Sequence, residues 1–145
     1  MMLWRWLSTI HGFAGLLAVA ALIHPALLLR TGKAPGRRAR LAMVLATLFA
    51  VAAFGTGISI YGAYRQHVKR ALFTDSVRAG LLFEAKEHLA VLVVSFATGA
   101  CLAVLLAPRS ASASRRVASL LYAIAALVAL GVVALGTYVS GVRGF

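Results

Sequence analysis

LSTIHGFAGLLAVAALIHPALLL, residues 7–29, decides the fold. The run contains no Asp, Glu, Lys or Arg, and about 20 such residues suffice to cross the hydrocarbon of a bilayer. It nevertheless carries two histidines, His11 and His24. An ionisable side chain in hydrocarbon is costly and usually marks a partner or a function. The segment resembles a signal peptide only in position. Its apolar stretch is long, it has no convincing cleavage site and it contains both histidines, so we expect it to be retained.

The rest of the chain continues the pattern. Of 145 residues 62% are hydrophobic, and the mean hydropathy is +0.93, where a soluble domain is closer to half apolar. Three further apolar stretches follow, at about 41–64, 81–106 and 117–139. Pro35 and Pro108 lie between spans, and only Pro25 falls inside one. The short connections make neighbouring spans antiparallel. The sequence therefore predicts an all-α, integral membrane four-helix bundle of up-down-up-down topology, as a single transmembrane domain over residues 1–145. The connection at 65–80 differs from the other two. Its leucine, valine and phenylalanine recur at helical spacing, so the helices project past the membrane and turn at Thr74-Asp75-Ser76, a cap-like sequence.

Fifteen Lys and Arg against three acids give a formal charge of +12. The cations cluster between apolar runs, where they meet anionic headgroups. No basic face carries interleaved stacking aromatics, which argues against nucleic acid. Arg30–Arg40 and Arg109–Arg116 together hold eight cations, and the side with both termini holds seven. The eight are packed into shorter loops, so we place those loops in the cytoplasm of a bacterial inner membrane and the termini on the non-cytoplasmic side. Trp4, Trp6, Tyr61, Tyr64, Tyr138 and Phe145 all fall on the termini side and read as an interfacial belt.

Depth sorts the histidines. His11 lies about four residues into the first span, and His24 is roughly 20 Å further along the axis. His88 lies about seven residues into the third span, which starts from the same side as the first. His11 and His88 therefore share a level on two parallel helices. His67 follows the second span on that side, among Arg65, Lys69 and Arg70. His24 has only Met43 and Cys101 near its own level, and a structural role for it is an interfacial imidazole bonded to a carbonyl freed by Pro25.

Imidazole is a common axial ligand of haem iron. Two histidines 13 residues apart on one helix, His11 and His24, with Gly12 and Gly15 beside the first, resemble the pattern of small four-helix membrane b-type cytochromes. The resemblance is architectural and loosely covers the whole chain. It implies haem b, with His11 and His88 as axial ligands and His24 and His67 as further cofactor-binding candidates. A diheme relative carries a second histidine pair on a partner helix. Here only His88 is so placed, which favours one haem over two. With Cys101 the single cysteine, no CxxCH attachment motif exists. Glu84 and Glu87, close in sequence to His88, are candidates for quinone or proton contacts, though a pair of acids there also fits an exposed helix start. The glycines inside the spans serve helix packing or leave room for a flat cofactor.

The expected function is electron transfer between a membrane quinone pool and a redox partner, as a subunit of a larger complex rather than a self-contained enzyme. The alternative is a cofactor-free accessory or assembly subunit. A carboxylate-bridged di-iron site lacks its ligands, because Glu84-x-x-Glu87 stands where a Glu-x-x-His motif is needed and no other span offers a carboxylate. No nucleophile–histidine–acid set, phosphate loop or polar transport stripe is present.

Overall fold

The computed structural model describes residues 2–108 and 110–144. Its elements are α1 (Met2–Leu29), α2 (Arg37–Tyr64), a π-helical turn (Arg65–Lys69), α3 (Arg70–Asp75), α4 (Val77–Leu106) and α5 (Ser112–Val142). α2, the π turn and α3 form one rod of 39 residues. There are thus four rods, each long and apolar enough to cross a membrane. They make an all-α bundle of an integral membrane protein.

Around the bundle the order is α1, α2, α4, α5. The α4–α5 seam is the most extensive and the α2–α4 seam the thinnest, and α1 and α4 stand on a diagonal. Side-chain size decides which face turns inward. The interior is largely alanine, including Ala18, Ala50, Ala97, Ala100, Ala118 and Ala125, each nearly or wholly buried. Leu17, Leu27, Leu102 and Leu127 point outward. In lipid both faces are apolar, so packing favours the small side chains that let backbones approach.

The ends of the rods have local causes. α1 stops where Gly32 adopts φ +70° and donates its N–H to the Leu29 carbonyl at 2.9 Å, a left-handed cap that glycine tolerates without cost. Ser76 is extended, with its side chain accepting from the Ala79 N–H at 3.2 Å, and it begins α4. The reversal therefore falls at Asp75–Ser76, one rod running directly into the next. α4 ends at Leu106, before Pro108. Close approach occurs at few of the glycines. Gly57 faces the His11 ring and Gly80 the Phe73 ring, while Gly12, Gly55, Gly99 and Gly131 have open space where a Cβ would stand.

Candidate functional site

The termini end of the bundle gathers polar side chains from α1, the α2 rod and α4. His11 on α1 is half-buried, and its Nδ1 lies 3.0 Å from the Ala53 carbonyl and 3.2 Å from the Thr56 hydroxyl, both on α2. Thr56 itself donates to the Ala53 carbonyl at 2.8 Å. A carbonyl only accepts, so Nδ1 carries the hydrogen, and in the neutral ring Nε2 keeps the lone pair. Gly57, one residue on, leaves space for the ring. A Cβ there would stand 2.9 Å from His11 Cε1.

Lys86 on α4 is half-buried and turned toward Gly136 of α5, within electrostatic reach of His11. Its ammonium lies 5.1 Å from the centre of the Phe83 ring. Lys69 Nζ lies 5.6 Å from the same centre. Phe83 stacks on Tyr64 with centroids 4.6 Å apart. An aromatic face attracts a cation through its quadrupole, so this plate lodges two ammonium groups at the termini end of the bundle. Lys69 also pairs with Glu84 at 3.1 Å and Glu87 at 3.5 Å. The two carboxylates are thus not simply a solvated helix start. They clamp α4 to the projecting end of the α2 rod.

The other expected ligands are placed as follows. His88 is exposed on α4, with Nδ1 2.8 Å from the Glu84 carbonyl one turn back. It therefore points out of the bundle, while His11 points at α2, and the two helices are diagonal. The sequence count put these rings at one level, but their directions do not bring them face to face. His67 is exposed within the π turn. His24 is exposed near the end of α1, whereas Met43 and Cys101 are buried in the core. Among the described residues no group of three His, Cys, Asp or Glu gathers to hold a metal ion. The aromatic belt divides. Trp6 and Tyr138 are exposed, Tyr61 and Tyr64 pack against a small core of Leu72, Ala79, Phe83 and Val139, and Phe145 lies outside the described residues.

A second buried polar cluster, unforeseen from sequence, sits toward the loop end. Tyr122 of α5 is wholly buried. Its hydroxyl lies 3.0 Å from that of Thr47 on α2 and 3.4 Å from the Met43 carbonyl. Ser119 donates to the Ala26 carbonyl of α1 at 2.5 Å. Arg115, buried, donates to the carbonyls of Gly32 at 2.8 Å and Pro108 at 3.2 Å, joining the two short loops. An Arg, a Ser and a Tyr inside one apolar helix, at 115, 119 and 122, were the available signal, because i, i+4 and i+7 share a face.

The chain matches no protein-family model, no curated protein and no solved structure.

Proposed function

We propose that the protein is a membrane-embedded subunit of a larger redox complex and carries one haem b, passing electrons between membrane quinone and a partner subunit. The observation that supports this is the state of two imidazoles. His11 and His88 each commit Nδ1 to a backbone carbonyl. That bond fixes the tautomer and leaves Nε2 as the ligating nitrogen, the arrangement common among metal-bound histidines. A haem held there supplies a one-electron carrier. Two ligand sets would hold its iron: His11 with His88, which would require a turn of α4, or His88 with a ligand from a neighbouring subunit. The second leaves the packed interior unchanged and gives a reason for assembly. His24 and His67 are secondary candidates. Glu84 and Glu87, within a turn of His88, are the groups to bond a quinone headgroup or pass its protons. The setting we propose is a bacterial inner membrane with the termini on the non-cytoplasmic side.

A specific observation favours the second reading, a cofactor-free accessory or assembly subunit. The interior polar side chains His11, Thr47, Ser119, Tyr122 and Arg115 all bond groups on other rods or loops, which is what a purely structural bundle needs. One experiment separates the two. The full chain, purified in mild detergent from cells supplied with haem, is examined by reduced-minus-oxidised spectroscopy and by haem-to-protein ratio. A b-type spectrum at one haem per chain, lost in His88→Ala while the protein stays monodisperse, supports the redox subunit. A protein that is colourless both alone and together with the subunits that co-purify with it from its membrane overturns it in favour of the accessory role.

A further inference from the structure

We propose that the outward face of α2, at the loop end of the bundle, is a binding site for a phospholipid with a negatively charged headgroup. The inference does not depend on the haem reading. Arg37, Arg38 and Arg40, with Leu41 and Val44, line an open hollow of about 540 Å³. A second hollow of about 190 Å³ follows, lined by Leu45, Leu48, Phe49 and Ala52. Residues 41, 44, 45, 48, 49 and 52 recur at i+3 and i+4, so the two hollows lie along one helix face. From 41 to 52 that face runs about 16 Å along the axis, a length suited to an acyl chain.

Charge identifies the head of the ligand. Three guanidinium groups lie within four residues, in the first turn of a helix that has no acidic residue there and no side-chain cap. Cations repel one another and are disfavoured at a helix N-terminus. No acidic side chain offsets this locally. The chain's three acidic side chains are at the far end, where Glu84 and Glu87 pair with Lys69 and Asp75 with Arg143, roughly 40 Å away along the bundle. Arg115, at the same end as the cluster, shows the contrast. It is buried against carbonyls and closes the loops, a structural use that the three α2 arginines lack. A ligand that neutralises Arg37, Arg38 and Arg40 relieves their repulsion, and one that also covers Leu41, Leu45, Leu48 and Phe49 must carry an apolar tail. Free phosphate supplies the first property and a zwitterionic lipid the second. An anionic phospholipid supplies both.

The test is native mass spectrometry of the full chain in detergent, titrated with phosphatidylglycerol or phosphatidylcholine of matched chains. We expect phosphatidylglycerol to be retained preferentially and its affinity to fall roughly 100-fold in R37Q/R38Q/R40Q, since each cation near an anionic surface contributes several-fold. The triple variant R65Q/R70Q/R78Q, which removes the same charge at the opposite end, should retain the lipid. Leu48→Trp, which fills the lower hollow and keeps every charge, should also weaken retention, and it keeps the proposal testable where the arginine variant fails to insert. Equal retention of the two lipids, equal loss in both triple variants, or undiminished binding by Leu48→Trp overturns the proposal.

Discussion

The hydroxyls of Thr47 and Tyr122 meet at 3.0 Å inside the bundle, joining α2 to α5 across its diagonal. Thr47 also reaches the carbonyls of Met43 at 3.0 Å and Ala97 at 3.4 Å, so three rods share one polar knot. In hydrocarbon no water replaces such bonds. Tyr122→Phe removes the shared hydroxyl but keeps the ring, and Thr47 still has its carbonyl acceptors. The expected cost is therefore modest, about 1 kcal/mol, in the range found between membrane helices. Tyr122→Ala also empties a fully buried volume and should cost about 3–5 kcal/mol. Reversible unfolding in mixed micelles measures both. Equal losses in the two variants would mean that the ring contributes nothing beyond its hydroxyl.

His11 and Gly57 are coupled by contact. A Cβ at position 57 would stand 2.9 Å from His11 Cε1, and the ring is held by its bond to the Ala53 carbonyl. Gly57→Ala should destabilise the α1–α2 seam by about 1–3 kcal/mol through overpacking. In a His11→Ala background the same substitution should cost less, because the obstructing ring is gone. A double-mutant cycle on thermal unfolding reads the difference. Additive effects would show that the ring moves aside freely.

The sequence made the rods legible, but not the directions of their side chains. The apolar stretch expected at 81–106 lies within α4, Val77–Leu106, and the turn expected at Thr74–Ser76 falls at Asp75–Ser76. Counting residues at 1.5 Å each placed His11 and His88 at one level. It gave no azimuth. The charged residues of α4 crowd its first half without marking one face, and past His88 it has none, so its sequence does not distinguish the face toward lipid from the face toward α5. Size was the remaining signal, with alanine inside and leucine outside. Lys86 turns inward because Gly136, fifty residues away on α5, offers a hollow, and Phe83, one turn back on α4, adds an aromatic face. Tyr64 left the expected belt for a comparable reason, a stacking partner on α4.

Gly32 and Gly36 stand four residues apart in one loop and should respond oppositely to alanine. Gly32 has φ +70°, and a Cβ there would lie 3.0 Å from Arg116 Nε and 3.2 Å from the Ser112 carbonyl. Gly36 has φ −69°, with nothing within 4 Å of the added carbon. Gly32→Ala should cost about 1–2 kcal/mol from the left-handed backbone alone, and more where the α5 contact cannot yield. Gly36→Ala should be close to neutral. Matched losses for the two, measured as melting temperatures in the same detergent, would remove the left-handed conformation as the cause.

At the projecting hairpin a capping bond should outweigh an ion pair. Ser76 accepts from the Ala79 N–H at 3.2 Å at the start of α4, and Ser76→Ala leaves that donor without its cap, at a typical cost of about 1 kcal/mol. Asp75 and Arg143 pair at 2.6 Å, but their side chains are 41% and 45% exposed. An exposed pair is screened by water and salt and contributes about 0–1 kcal/mol. Arg143→Gln should therefore destabilise less than Ser76→Ala, and its effect should shrink further as salt rises from 0.01 to about 1 M, where the screening length falls to roughly 3 Å. The Ser76→Ala effect should hardly change over that range, since a hydroxyl-to-amide bond carries no net charge. Hydrogen exchange at the Ala79 amide, followed at both salt concentrations, checks the ranking. Faster exchange in Arg143→Gln than in Ser76→Ala would reverse it.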